Sequence, residues 1–566
     1  MGARPDGRLL CAVSRRLCRL IKVVVPEAEI ELKRIKTIIT MITAIRIENL
    51  RSLKDTGFIQ IKPLTILLGA NSSGKSTFLR SFLLFAQSVN KQLRGPISWF
   101  DDAMVDFGDF QTAVNNEARE NGEPIRFSYV IDNNKDEMLR DIRFYDFSRR
   151  PRYRRYVRLV VSISFVCDSG GTYINEITIQ DDTSTIRAFV ENRSSLVRFE
   201  VDGQGVDMSE KLKWNFASYH SILPTFEHRS KETEKMIGEI TEEAMIAFVA
   251  ARCSSRLMNL DRISVLSSHS NDDKKTLLKY LKNNFPIKSF SNYVNDNNWR
   301  TNSPEFLKLY GYLCFQRFLG QVSFVDRQLT HFYDKSSYIA PARAEGNRYY
   351  RTQGFQINDI DPYGRNLQEF ISSLDADQKA SYQKFMLRIL GLVADTVGEE
   401  GHHSIVLQSE IGTFNLADVG FGYSQILPII TKLWYITEEH KKVHRIDEFG
   451  YFFIETISGV NTLMEQPELH LHPAYQAKIA DAFITTIERM EDQKREANLI
   501  VETHSETIIN RLGRRIREGL LRASDVNVVI FNKTLLDSHT TVEEYSYNGN
   551  GQIKNWPFGF FDPDKD

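Results

Sequence analysis

The apolar run Leu64-Thr65-Ile66-Leu67-Leu68 leads straight into Gly69-Ala70-Asn71-Ser72-Ser73-Gly74-Lys75-Ser76, and no other stretch constrains the chain as strongly. It fits G-x-x-x-x-G-K-[ST] in the order strand, loop, helix that a phosphate-binding loop requires. The spacing has a physical reason. Gly69 and Gly74 let backbone N–H groups turn inward around phosphate oxygens, the following helix offers its positive N-terminal end, and Lys75 reaches the terminal phosphates. Ser76 supplies a hydroxyl for magnesium, and Asn71, Ser72 and Thr77 complete the expected lining. ATP and Mg2+ are therefore the expected cofactors. A Gly/Ser turn joining strand to helix shares the composition but does not demand the full spacing.

The chain has 566 residues, enough for two to four domains and more than one substantial core. With 72 Lys+Arg against 73 Asp+Glu and a net charge of -1, any nucleic-acid contact must come from local patches. The five cysteines are scattered and form no C-x-x-C pair, which argues against a zinc site or a disulfide framework and for a reducing, cytoplasmic setting. No apolar run approaches the roughly 18 residues of a membrane-spanning helix, so no membrane partner is expected. Residues 1–40 contain arginines and short apolar runs without the pattern of a signal peptide. Met41 begins a strand-like alternation, which suggests a natural start there and an atypical extension before it; a basic arm touching nucleic acid or a partner is the alternative.

Residues 41–120 read as strands, phosphate loop and helix, the first part of an ATPase head. Residues 121–208 change to β-rich alternation, as in "RYVRLVVSISFV" and "GTYINEITIQ". Residues 209–335 turn helical and charged, "ETEKMIGEITEEAMIAFVAARC" showing helical spacing, and read as an inserted lobe. Residues 336–535 return to apolar strands with further motifs, and residues 536–566 form a tail. The expected fold is α/β, with a head split in sequence and joined in space.

Three motifs in the second part complement the loop. "TLMEQPELHLHP" brings a short apolar run to Glu465-Gln466-Pro467-Glu468, a Walker B arrangement in which a buried strand delivers an acidic residue to hold magnesium opposite Ser76. "NLIVETHSETIINRL" brings another apolar strand to Thr503-His504-Ser505 and then a helix; taken singly His504 reads as a satisfied structural histidine, and after a phosphate loop and Walker B in this order it reads as one that faces the γ-phosphate. "NLADVGFGYSQILPII" sets Gly420-Phe421-Gly422-Tyr423-Ser424-Gln425 before a helix.

Together these motifs resemble the ABC-type, SMC-like ATPases of the overcoming-lysogenization-defect group. The likeness is strongest to a bacterial subgroup marked by "EQPELHLHP", "ETHSE" and a C-terminal "WPFGFFD", including the ATPase subunits of Septu-type and retron-associated antiphage defence systems. The resemblance implies a split ABC-type head with an inserted β-rich region and an inserted helical lobe. It implies that Gly422, Ser424 and Gln425 form the signature loop that caps the γ-phosphate held by the other subunit of a dimer. It further implies that Arg51 lies near the nucleotide and that Gln111 senses magnesium. The partners implied are a second copy or a higher oligomer, a separate nuclease of the HNH type, and a reverse transcriptase with its RNA–DNA product.

Two departures qualify the resemblance. The residue before the proline is usually a glutamate that activates water; here it is Gln466, which can orient water but not take its proton, so slow hydrolysis is expected and Glu468 becomes a candidate base. The 61 residues after Ser505 are too few for the nuclease domain that some relatives carry, so the chain is not expected to cut DNA itself. Outside the head, "SRRPRYRRYVRL" interleaves Arg149, Arg150, Arg152, Arg154 and Arg155 with Tyr153, the composition of a nucleic-acid surface or equally of a solvated strand face. The residue pattern leaves two other functions open: a DNA repair or processing ATPase, and a scaffold that binds ATP without turnover.

Overall fold

Central parallel strands buried on both faces read as unbroken apolar runs, and the phosphate-loop strand Leu64–Gly69 is buried along its whole length. In this computed structural model Leu64, Ile66 and Leu68 point into one hydrophobic core while Leu67 points into the other. The same alternation recurs in the neighbouring strands: Leu499 and Val501 against Ile500, and Val528 and Ile530 against Val529 and Phe531. One six-stranded sheet therefore divides two cores.

The structure describes residues 41–91, 93, 95–102, 104–134, 156–191, 193, 195–206, 213–215, 221–227, 237–253, 263, 265–334, 336–351, 359–399, 402–438, 442–446, 452–456, 459–493, 495–533 and 539–557. Two compact units are distinguished. The larger takes residues 39–439 and 459–566. The smaller takes residues 1–38 and 440–458, and its described part is an antiparallel hairpin pairing Lys442–Ile446 with Phe452–Thr456.

The six-stranded sheet runs, from one edge to the other, Ser336–Ile339, Gly459–Glu465, Glu496–Glu502, Leu64–Gly69, Val526–Asn532 and Thr541–Tyr545. All neighbours are parallel except the last pair. The phosphate-loop strand thus lies between two strands more than 400 residues later in the chain. The helix after the loop, Lys75–Val89, buries Phe78, Phe82 and Phe85 on one side of the sheet. There Phe82 meets Phe332 and Tyr333 at the end of the long helix Pro304–Asp334. Helices Ala376–Leu390, Phe421–Glu438, Pro473–Asp492 and Glu506–Arg517 fill the other side.

The β-rich region is an antiparallel sheet of eleven strands that also recruits Met41–Leu50, Leu53–Asp55 and Ile59–Gln60. It packs on the head through Phe127 against Phe85, ring centroids 4.8 Å apart, and through the Tyr333 hydroxyl bonded to that of Tyr129. Within the stretch read as helical, short strands Lys213–Asn215 and Thr225–Glu227 extend this sheet before the first described helix at Ile237–Ala250. Three-residue strands carry too few positions for a period-two pattern to show. A four-stranded antiparallel sheet built on Val393–Glu399 and His402–Ser409 covers the far side of the head. Among the described residues no helix is long and apolar enough to cross a membrane.

Candidate functional site

In a parallel sheet the loops at the carboxyl ends of the strands form the ligand edge. Here three strands end together: Glu465 pairs in register with Glu502, and Glu502 with Leu67. The Thr503 N–H donates to the Leu67 carbonyl at 3.1 Å and the Gln466 N–H to the Glu502 carbonyl at 2.8 Å, which locks the three loop entrances side by side.

The phosphate loop depends on its glycines at two points. Gly69 has φ +141° and a Cβ there would lie 2.2 Å from the Phe531 carbonyl oxygen; Gly74 has φ +101° and a Cβ would lie 2.6 Å from Leu53. Any side chain at either position would both strain the backbone and collide. Lys75 is buried and folds back along the loop, its Nζ donating to the carbonyls of Gly69 at 2.9 Å and Ala70 at 2.7 Å. Burial lowers its pKa, with the Glu502 and Glu468 charges opposing. Asn71 and Ser72 are exposed on the loop, and Ser76 and Thr77 are half-buried at the start of the helix.

The acids divide between the cations. Ser76 Oγ donates to Glu502 Oε2 at 2.7 Å, and Lys75 Nζ stands 3.9 Å from Glu502 Oε1. Glu465 is gripped by both arms of Arg80, at 2.6 and 2.7 Å. This pairing raises the Arg80 pKa, and burial beside Glu465 pushes the Tyr338 phenol upward. Burial raises the Glu502 carboxyl above the ordinary carboxylate value despite the Ser76 bond and the Lys75 charge. Glu502 and Arg80 are not among the residues the motifs single out. The signal for Glu502 is its place as the last residue of a buried strand, in register with Glu465.

Gln466, Glu468 and His504 meet Asn71, His470 and Gln476 around a cleft of about 600 Å³. Gln466 holds φ +43°, a left-handed turn that carries the chain out of the sheet. Glu468 Oε1 accepts the His504 backbone N–H at 2.7 Å, whereas its Oε2 is buried without a hydrogen-bond partner among the described residues. Burial raises its pKa. Partial desolvation and the Lys75 charge hold the His504 imidazole below its ordinary value, so the ring is neutral at pH 7. Ser505 caps the next helix by accepting the Ile508 N–H and donates to Gln476 Oε1 at 2.6 Å, which fixes the direction in which His504 leaves the strand.

Of the remaining expected residues, those at the helix start at Phe421 lie beside this edge. Gly422 approaches Leu471, the Phe421 ring stands 5.3 Å from His470, and the Tyr423 and Tyr475 hydroxyls bond at 2.6 Å. Ser424 and Gln425 turn inward: Ser424 Oγ donates to the Phe421 carbonyl, and Gln425 exchanges two hydrogen bonds with the Arg343 backbone. Buried Arg343 in turn reaches the Ala340 and Pro467 carbonyls, and burial lowers its pKa to about 10. Arg348 pairs with Asp418 at the surface. On the other side of the loop, the Arg51 guanidinium lies 4.3 Å over the Phe107 ring and donates to the Asp106 carbonyl. Gln111 is exposed on the short helix Phe110–Ala113. Arg149, Arg150, Arg152, Tyr153, Arg154 and Arg155 lie outside the described residues; Arg158 follows them, exposed and 3.9 Å from Asp132.

The donors beside the phosphate loop are a serine hydroxyl and carboxylates, the oxygen set that suits magnesium. Among the described residues no group of three or more His, Cys, Asp or Glu side chains is arranged to hold a metal ion by itself. That fits a magnesium held by one or two protein groups together with nucleotide phosphates.

Comparison with protein families matches residues 41–509 to the AAA ATPase domain. Among solved structures, the SMC head in the crystal structure of the SmcHead bound to the C-winged helix domain of ScpA is 12% identical, covering 90% of this chain and 98% of that one with a TM-score of 0.32. The SMC head domain from Thermotoga maritima is 7% identical, covering 88% and 97%, with a TM-score of 0.30. No curated protein matches the chain.

Proposed function

The chain belongs to the AAA ATPase domain family, and from that premise we propose that it is the ATP-binding, slowly hydrolysing ABC-type subunit of a bacterial antiphage defence complex. In this reading two copies close around ATP and control a separate nuclease effector of the HNH type, with a reverse transcriptase and its RNA–DNA hybrid as a further partner. The observation that supports nucleotide chemistry is the meeting, at one sheet edge, of Lys75 and Ser76 with Glu465, Glu468, Glu502 and His504. The support for defence is the combination of "EQPELHLHP", "ETHSE" and "WPFGFFD" in one chain.

In this reading Lys75 exchanges its loop carbonyls for the terminal phosphates, and Asn71 and the loop N–H groups orient them. Magnesium, when bound, neutralises charge developing on the phosphates. Ser76 would hold it together with a carboxylate of this edge, for which the sequence points to Glu465, and the Gln111 amide is the magnesium-sensing group the resemblance implies. Gln466 orients the attacking water. Glu468 takes its proton through Oε2, because Oε1 is tied to the His504 N–H and Oε2 has no hydrogen-bond partner among the described residues. Neutral His504 donates to the γ-phosphate. Gly422, Ser424 and Gln425 act on the nucleotide of the second copy, which requires the helix start at Phe421 to open outward.

A scaffold that binds ATP without turnover draws support from Gln466. Glu468 Oε2, without a hydrogen-bond partner among the described residues, supports turnover instead. Calorimetric titration of Lys75→Ala with an ATP analogue and magnesium tests the common premise: affinity should be lost, and unchanged affinity would sink both readings. For the defence role, cells carrying the intact locus should resist phage and cells carrying Lys75→Ala should not. Equal plating efficiency on the two would remove that role while leaving ATP binding untouched.

A further inference from the structure

We infer that Glu502, at the end of the strand that carries His504, is the carboxylate that shares the magnesium ion with Ser76, and that Glu465 on the Walker B strand is instead a partner of Arg80. The inference rests on the ATP-binding reading and deepens it. In phosphate-loop ATPases the ion is held by the loop Ser/Thr and by the Walker B carboxylate, the role that the sequence gives to Glu465. A carboxylate in that role must reach the loop hydroxyl, and it must not already be neutralised by a fixed cation. Glu502 meets the first condition, since Ser76 Oγ donates to its Oε2 at 2.7 Å. Its other oxygen is 3.9 Å from Lys75 Nζ, a cation that the terminal phosphates draw away.

Glu465 fails the second condition. Both of its oxygens are occupied by the Arg80 fork, at 2.6 and 2.7 Å, and the carboxylate is nearly fully buried. Arg80 projects from the helix that begins at Lys75, so its guanidinium moves with the phosphate loop rather than apart from it. For Glu465 to face the ion, two charge-assisted bonds in a buried setting would have to break. Glu502 needs only to rotate about a bond it already makes. The strands explain how the roles can exchange: Glu465 and Glu502 are neighbours in register on parallel strands, so either side chain starts from the same sheet edge. Two adjacent buried acids need two cations, and the chain supplies Arg80 for one and leaves Lys75 and a metal ion for the other.

The test uses Mn2+ in place of Mg2+, its free concentration read by electron paramagnetic resonance, on the full chain saturated with a non-hydrolysable ATP analogue. Glu502→Gln should weaken Mn2+ binding by about 10–100-fold, the usual loss when an ion's supporting carboxylate is removed. A paired variant, Arg80→Gln with Glu465→Gln, removes the salt bridge without leaving a buried charge and should change Mn2+ affinity by less than about threefold, below that same range. Loss of Mn2+ affinity in the paired variant, or its retention in Glu502→Gln, overturns the assignment. If Glu502→Gln does not show the parent's thermal transition, Glu502→Asp is read in its place by the same criterion. Analogue affinity separates the premises: if the parent binds no analogue with Mg2+ present, the ATP-binding reading itself fails, and the variants' affinity is read in EDTA. Binding retained by both variants confines any metal defect to the carboxylate.

Discussion

Glu468 presents its two oxygens to different surroundings, one held by the His504 backbone and one buried without a hydrogen-bond partner among the described residues. A carboxylate so placed can accept a proton without giving up its anchor. Glu468→Gln should therefore lower ATP turnover by about 10²–10⁴-fold, the range for removing a positioned base, and Gln466→Glu should raise it. Phosphate release from the purified variants checks both, and a Gln466→Glu rate below the parent's would mean that residue 466 does not face the water. Glu502 carries a second residue-level expectation. Its folded pKa lies above the unfolded value because of burial. Its contribution to stability is thus fully present below the unfolded carboxylate pKa and is lost as pH rises through the folded one. Glu502→Gln removes that titration, so the variant should gain stability relative to the parent as pH rises above the unfolded carboxylate value of about 4. Urea midpoints measured across this rise check it; a constant difference would mean that Glu502 titrates alike in both states.

Among the elements, the helix Phe421–Glu438 and the acidic turn after Gly459–Glu465 are tied through one buried side chain. Arg343 takes two backbone hydrogen bonds with Gln425 on the helix and sends its guanidinium to the Pro467 carbonyl on the turn. The backbone bonds to Gln425 do not depend on the Arg343 side chain, but the link to Pro467 and Ala340 does. Arg343→Met should cost about 1–3 kcal/mol, the penalty of leaving buried carbonyls unpaired, and Arg343→Lys should not recover it because an ammonium lacks the planar fork. Chemical denaturation measures both. Full recovery by lysine would reduce Arg343 to a charge placed near Glu468.

At the scale of the whole molecule, the phosphate-loop strand lies between Glu496–Glu502 and Val526–Asn532, and its helix packs on Phe332 and Tyr333. Neither half of the chain encloses the site alone. Fragments 41–335 and 336–566 expressed separately should each fail to bind ATP, and co-expression should restore binding through the shared sheet, as followed by co-purification and calorimetry. A first fragment that binds nucleotide by itself would mean the loop does not need its strand neighbours. Hydrophobic burial makes such assembly favourable, since Leu67, Phe531 and Phe78 share one core from opposite ends of the sequence.

The phosphate loop, the strand leading into it and the strands leading to Glu465 and His504 were legible in the chain itself, because a loop that wraps phosphates needs glycines at set positions and a strand buried on both faces needs an unbroken apolar run. The helical character of Ile237–Ala250 and the alternation of Tyr156–Asp168 were legible for the same kind of reason, each being long enough to show a period. What pairing each charge has was decided only in three dimensions. Nothing in the spacing of Arg80, Glu465 and Glu502 says that Arg80 takes Glu465 and Ser76 takes Glu502, since hydrogen-bond partners depend on which strands lie side by side and in what register. The inward turn of Gln425 was decided in the same way, by a buried Arg343 more than 80 positions earlier whose backbone meets it.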